Sequence, residues 1–214
     1  MKTIYHYFDY KSPYGYLAQE SCWVLMNNKN VRIEWLPYTL QIPKYLGEAK
    51  LDDNGDDVVG TRNDHQWRRV KYSYMDCRRE ANRRGLTVRG PKKIFDSSIA
   101  HRAFLYLKEQ NPAPDSWRPF HDNVYEMFWK RELDIENEQE LKNLMERLGF
   151  STVGFLDYIF DEGGAKLRQV EKLAEQIGVF GVPSWVYQNE LFWGAERFVL
   201  LMERLSAEDS APNH

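Results

Sequence analysis

The chain begins and ends with alternating hydrophobic and polar positions, and between them the apolar residues fall at helical intervals. Residues 3–10, Thr-Ile-Tyr-His-Tyr-Phe-Asp-Tyr, are aromatic and alternate, as a half-buried strand does. Pro13 follows where a missing N–H costs a helix nothing. From Tyr14 to Met26 the residues Tyr16, Leu17, Cys22 or Trp23, Val24 and Leu25 recur at helical spacing. Asn27-Asn28-Lys29-Asn30 ends that helix, and Val31–Leu36 reads as a strand of period two stopped by Pro37. Together these predict a β-α-β unit, whose crossover length requires parallel strands.

From 44 to 64 the chain turns polar and glycine-bearing, with an acidic run over 52–57, and a mobile loop is expected. Helical periodicity resumes at His65–Arg84, ended by Gly85, and further helices are predicted at Ser97–Gln110, Trp117–Arg131, Glu138–Leu148 and Thr152–Tyr158. The last section predicts an amphipathic helix Ala165–Ile177 capped by Gly178, a strand Pro183–Tyr187, a tight turn Gln188–Glu190, a partner strand Leu191–Trp193 and a closing helix Ala195–Leu205. This order predicts the α/β class: a thioredoxin-like fold with an inserted all-helical domain. Residues 1–45 and 165–206 would form the discontinuous thioredoxin-like domain, 60–164 the helical insertion and 207–214 a flexible tail.

Composition narrows the partners. Hydrophobic residues make up 43% of 214 positions, enough for a sizeable core, and a net charge of -3 gives no general pull toward nucleic acid or an anionic membrane. No basic-then-apolar leader opens the chain and no apolar run approaches a membrane span, so a cytoplasmic location is expected. Cys22 and Cys77 lie in no C-x-x-C; they could bridge, but a reducing compartment favours free thiols. The five histidines, His6, His65, His101, His121 and His214, show no metal-ligand spacing, and no metal is expected.

Chemistry concentrates at two places. Ser12-Pro13 stands at a helix N-cap, where a serine hydroxyl satisfies an orphan N–H for about 1 kcal/mol. The same geometry also favours an external anion such as a thiolate, and a hydroxyl donating to a bound sulfur lowers its pKa. No Ser-His-Asp arrangement surrounds Ser12 to make it a nucleophile. The second place is Val182-Pro183. If that bond is cis, the Val182 backbone faces the helix N-terminus and can pair with an extended peptide. The runs Arg68-Arg69, Arg78-Arg79 and Arg83-Arg84 read first as a solvated helix face with pairs such as Glu80 to Arg84, and second as a rim for carboxylates. Trp117, Tyr125, Phe128 and Trp129 read as core of the helical segment, one edge of which could line a cleft.

Four stretches resemble one family. Phe8-Asp-Tyr-Lys-Ser-Pro-Tyr-Gly-Tyr-Leu-Ala18 is similar to F-D-x-x-S-P-[YF]-[SG]-[YW]-L-[AG], and Gly178-Val-Phe-Gly-Val-Pro183 to G-V-F-G-V-P. Phe192-Trp-Gly-Ala-Glu-Arg197 is similar to W-W-G-N-D-R, and Arg69-x-x-Tyr72-x3-Asp76 to K-x-x-Y-x3-D. The chain thus resembles the 2-hydroxychromene-2-carboxylate isomerases and kappa-class glutathione transferases of the DsbA-like thioredoxin superfamily. The resemblance implies glutathione as cofactor, a small aromatic or apolar electrophile as partner, and a homodimer. It implies that Ser12 meets the glutathione sulfur, that Val182 before Pro183 pairs with the cysteinyl backbone, and that Trp193, Gly194, Ala195 and Glu196 receive the γ-glutamyl end. Arg69 would reach the tripeptide or an acidic substrate, and Lys44 and Asn63 the aromatic substrate. Ala195 stands where the family has Asn or Ser, Glu196 where it has Asp, and Arg69 where it has Lys. A glutathione-dependent isomerase is the function implied. A kappa-like transferase and a non-redox peptide-binding or chaperone module are the alternatives. Ser12 and Gly15, where a dithiol enzyme needs cysteines, oppose an oxidoreductase.

Overall fold

In the computed structural model, which describes residues 1–27, 30–52 and 58–209, four strands form one mixed sheet. They are β1 (Lys2–Phe8), β2 (Val31–Pro37), β5 (Ser184–Tyr187) and β6 (Glu190–Trp193), while β3 (Ala49–Leu51) and β4 (Val58–Gly60) form a separate hairpin. The main sheet runs β2-β1-β5-β6, with β1 and β2 parallel and the other neighbours antiparallel. Helix α1 (Pro13–Met26) makes the expected crossover between β1 and β2.

The strand register decides where chemistry can occur. Phe8 pairs with Pro37, Tyr7 with Ser184, and Ser184 with Trp193. The C-terminal ends of β1, β2 and β6 therefore meet the N-terminal end of β5 at one edge of the sheet. Ser12, Thr39, Pro183 and Gly194 all lie within four residues of those ends.

The helices after the hairpin are α3 (Asp64–Arg83), α4 (Ser98–Gln110), α5 (Pro114–Lys130), α6 (Glu138–Arg147), α7 (Phe155–Phe160) and α8 (Glu162–Ile177), with a short α2 (Ile42–Leu46) before the hairpin. A 3₁₀ turn, Ala195–Arg197, leads into α9 (Phe198–Asp209). One hydrophobic core runs without a break from Ile4, Phe8 and Trp35 in the sheet to Phe104, Trp117 and Phe155 in the helices. Trp23 stacks on Trp35 with ring centroids 4.3 Å apart, and Trp117, Tyr125, Phe128 and Trp129 are all buried.

Several elements differ from the sequence expectation, among them the helix expected at Thr152–Tyr158, which spans Phe155–Phe160. The segment expected as a loop over 44–64 holds the second half of α2 and a hairpin of two three-residue strands, too short to display a period; residues 53–57 of the acidic run lie outside the described residues. Helix α8 starts at Glu162, ahead of the expected Ala165, because Gly163 is a close-approach position: a Cβ there would stand 2.9 Å from the Tyr158 carbonyl oxygen. Helix α9 continues to Asp209, into the segment expected as a tail, of which 210–214 lie outside the described residues. The Glu80–Arg84 pair forms at 2.5 Å, and Arg84 also donates to the Leu17 carbonyl at 2.8 Å, which fastens α3 to α1. Cys22 and Cys77 are free and buried.

Three histidines far apart in sequence, His6, His101 and His121, meet in the core with no solvent exposure. Burial pushes the His6 imidazole down to about 3, its hydrogen bond to the Ser184 carbonyl only partly opposing this. Burial, with His6 and His101 adding to it, holds His121 well below the ordinary value. A base whose folded pKa is depressed costs nothing above its unfolded value of about 6.5 and destabilises the fold as pH drops below it. With two such groups, unfolding free energy should fall by about 3–4 kcal/mol from pH 7 to pH 5. Denaturant melts of His6→Gln should show about half that pH dependence; an unchanged slope would remove His6 from the acid response.

Candidate active site

Asp9, the last residue before the elbow, is fully buried and its carboxylate is spoken for on both sides. Oδ1 accepts the Lys11 N–H at 3.1 Å, and Oδ2 accepts the Leu40 N–H at 2.8 Å. This binds the turn after β1 to the loop after β2. The Lys11 Nζ lies 3.5 Å from Oδ2 and donates to Ser97 Oγ at 3.3 Å. His101 presents Nε2 at 3.4 Å to Oδ1, while its Nδ1 meets Thr39 Oγ1 at 2.9 Å. Burial alone would push this carboxyl up, but Lys11, His101 and Ser97 outweigh it and hold Asp9 ionised, well below the usual range.

The carbonyl of Asp9 then fixes the next two parts. It accepts the Ser12 N–H at 3.0 Å and the Tyr125 hydroxyl at 3.1 Å. Ser12 is the N-cap of α1, with extended backbone, and its Oγ accepts the Gly15 N–H at 3.1 Å. That bond uses an oxygen lone pair; among the described residues nothing accepts the hydroxyl hydrogen. No acidic side chain occupies the first turn of α1 to compete for its positive end.

Across from this cap, Val182-Pro183 is cis. Val182 is buried, and its backbone N–H and C=O have no hydrogen-bond partner among the described residues. The neighbouring groups are bound: Ser184 Oγ donates to the Gly181 carbonyl at 2.7 Å, and the Gly194 N–H donates to the Pro183 carbonyl at 2.9 Å. Gly194 has φ +98°, and the Glu196 carboxylate folds back onto it. Trp193 lies over Gly181 and packs on Phe180 at 4.7 Å; both rings are about half exposed or more, at 49% and 59%. Ala195 and Glu196 stand in the 3₁₀ turn that packs against α1, where the sequence reading expected the first turn of an α-helix.

The helical elements beside the Ser12 cap are α2 and α3. Tyr14 donates to Asp76 at 3.1 Å, joining the first turn of α1 to α3. Arg69 lies two turns before Asp76 on the same face of α3, exposed and without an ionic partner among the described residues. Asn63 caps α3, and its Oδ1 is committed to the Gln66 N–H at 2.9 Å, so its amide nitrogen is what remains free. Gln66 Nε2 donates to the Tyr45 carbonyl and Arg62 Nε to the Leu46 carbonyl, which fixes α2, with exposed Lys44, against the start of α3. Sequence reasoning singles out Lys44 but misses Tyr45, whose hydroxyl feels both Asp9 and Arg69. Burial, then Asp9 and Tyr38, push that phenol up to about 12, with Arg69 opposing, so it stays a proton donor at neutral pH.

Residues 3–206 match the DsbA-like thioredoxin domain. The chain belongs to that family. It is 28% identical over 201 residues to a 2-hydroxychromene-2-carboxylate isomerase from Sphingobium xenophagum, covering 94% of this chain and 96% of that one. Among solved structures, a 2-hydroxychromene-2-carboxylate isomerase superposes with a TM-score of 0.72 at 19% identity, covering 97% and 98% of the two chains. A probable DsbA oxidoreductase from Streptomyces coelicolor gives 0.74 at 15%, covering 100% and 93%. Within this DsbA-like fold the chain lacks the paired cysteines of a dithiol site. Gly15 admits no second one without displacement: a Cβ there would lie 2.9 Å from the Tyr125 hydroxyl and 3.2 Å from the Asp9 carbonyl oxygen. Among the described residues no helix is long and apolar enough to cross a membrane.

Gly15→Ala should therefore cost about 1–3 kcal/mol of stability, the usual penalty for overpacking. Combining it with Tyr125→Phe, which removes the obstructing oxygen, should recover part of that loss in thermal melts. Equal losses in both backgrounds would show that Tyr125 is not the obstacle.

Proposed function

We propose that this protein is a glutathione-dependent isomerase acting on a small aromatic carboxylate of the 2-hydroxychromene-2-carboxylate kind. One observation carries the reading: at one end of one sheet, a capping serine with an uncommitted hydroxyl hydrogen stands with a cis-proline loop whose Val182 backbone is unpaired. The relative that matches nearly the whole chain supports the reaction class.

These groups fit glutathione. A sulfur anion calls for a donor and a positive helix end, and an extended cysteinyl backbone calls for one N–H and one C=O. When bound, glutathione would supply a nucleophilic sulfur able to add reversibly to an unsaturated carbon. Ser12 donates its hydroxyl hydrogen toward that sulfur, and the start of α1 favours negative charge there. Val182 offers both backbone groups to the cysteinyl residue. Glu196 is the acid for a free α-amino group, with Trp193, Gly194 and Ala195 forming the turn around the γ-glutamyl end. Arg69 and Lys44 present unpaired cations to a substrate carboxylate, Asn63 its amide nitrogen, and Tyr45 a phenol that remains protonated. None of these side chains has to form a covalent bond; their work is orientation and control of one sulfur's charge.

Ala195 favours a second reading, a peptide-binding module without turnover, because it removes a side-chain partner for the glutathione carboxylate. Titration of glutathione, followed by thiolate absorbance, separates the readings. The wild type should bind saturably with a depressed thiol pKa, and Ser12→Ala should bind with a thiol pKa raised from that value toward the ordinary one of about 8.5, the start of α1 keeping part of the depression. Equal pKa values in both proteins would contradict the role given to Ser12. If the wild type isomerises its substrate, glutathione should be recovered unchanged, whereas a transferase consumes it. Arg69→Ala should raise KM for a carboxylated substrate by about tenfold while changing kcat little, the signature of lost binding alone. An unchanged KM would return Arg69 to the solvated helix face.

A further inference from the structure

A buried carboxylate three residues before the residue that receives an anion poses an electrostatic problem. Asp9 has no solvent exposure and is held ionised, so its charge acts through protein and little through water. Left alone it would repel a thiolate at Ser12 and weaken the helix N-terminus that should attract one. Lys11 answers it. Its side chain is 5% exposed and turns inward, with Nζ 3.5 Å from Asp9 Oδ2 and 3.3 Å from Ser97 Oγ.

A lysine between an elbow aspartate and a helix cap would ordinarily reach water. Here Ser97, at the start of α4, and His101, one turn on in that helix, build a polar chamber for it. His101 meets Thr39, and the Thr39 N–H donates to Glu171 on α8 at 3.0 Å, so the chamber is closed from both helices.

We propose that Lys11 is a charge-setting residue for the Ser12 site: its buried ammonium cancels Asp9 and so permits an anion at the start of α1. This rests on the reading of Ser12 as the residue that meets a thiolate. Asp9 has the separate task of clamping the Lys11 and Leu40 amides, which fixes the elbow. Lys11 touches no substrate in this assignment; it acts through the field at residue 12.

The test places a reporter thiol at the site and does not depend on glutathione. In Ser12→Cys the introduced thiol should titrate at least about one unit below the ordinary value of about 8.5, as thiols at helix N-termini do. Burial pushes both native thiols, Cys22 and Cys77, up to about 12, so they stay silent in that range. Adding Lys11→Met should raise the reporter's pKa by about one unit or more, a tenfold loss of thiolate at a given pH. Adding Asp9→Asn to that pair should bring it back down, because the uncancelled charge is gone. A merely structural role for Lys11 would not give this reversal: each added substitution would disturb the elbow further. Near-ultraviolet circular dichroism checks that each variant is folded. Should Lys11→Met fold poorly, the Ser12→Cys/Lys11→Met/Asp9→Asn protein, which carries no lone buried charge, is compared directly with Ser12→Cys, and similar pKa values are expected. A reporter pKa that ignores Lys11→Met, or a three-substitution protein far from Ser12→Cys, would overturn the proposal. Failure of glutathione to bind the wild type would instead strike the functional reading and leave the reporter series to decide the role of Lys11.

Discussion

A single carboxylate out of reach of water holds the working end of this molecule together. Asp9 accepts one backbone N–H from its own turn and one from the loop after β2, and its carbonyl accepts the Ser12 amide and the Tyr125 hydroxyl. Burying that charge is tolerable because Lys11, His101 and Ser97 face it. The strand register does the rest. The antiparallel pairing of β1 with β5 brings the cis-Pro183 loop to the end of the sheet where Ser12 begins α1.

The parts of the fold that repeat at a fixed period are visible in the sequence. The alternation of residues 3–10 and 31–36, the helical spacing after Pro13 and the capped helix ending at Gly178 correspond to elements found within a few residues of their expected places. The hairpin of β3 and β4 is not visible, because three-residue strands carry no period and the polar residues around them resemble a loop. Gly163-Gly164 hides the start of α8, since glycine argues against a helix until the close approach of Tyr158 is known. The closing helix continues past Ser206 because nothing there breaks it: residues 207–209 are Ala-Glu-Asp, all tolerated in a helical last turn.

The site divides in the same way. Ser12, Val182 and Pro183 are legible because capping and proline chemistry are local, and a resemblance across the chain joins them. The groups beneath them are not legible. Asp9 and Lys11 reach Ser97 and His101 across some ninety positions, and no spacing rule links those segments. The same holds for His6, His101 and His121, which read as scattered in sequence and share one core in space. Tyr45 escapes notice because it lies in a five-residue helix too short to show a period, and its neighbours Asp9, Tyr38 and Arg69 come from distant segments.

Function on this scaffold is a matter of charge placement. The Ser12 hydroxyl and the first amides of α1 stand at the end of the sheet where the buried Asp9 carboxylate is paired with Lys11, and Lys44 and Arg69, without ionic partners among the described residues, lie on α2 and α3. The most direct measurement is a crystal structure grown with glutathione. Its sulfur should lie within hydrogen-bond distance of the Ser12 hydroxyl, with its cysteinyl N–H and C=O paired to Val182. A sulfur turned away from residue 12, or a tripeptide bound elsewhere on the surface, would contradict the central claim.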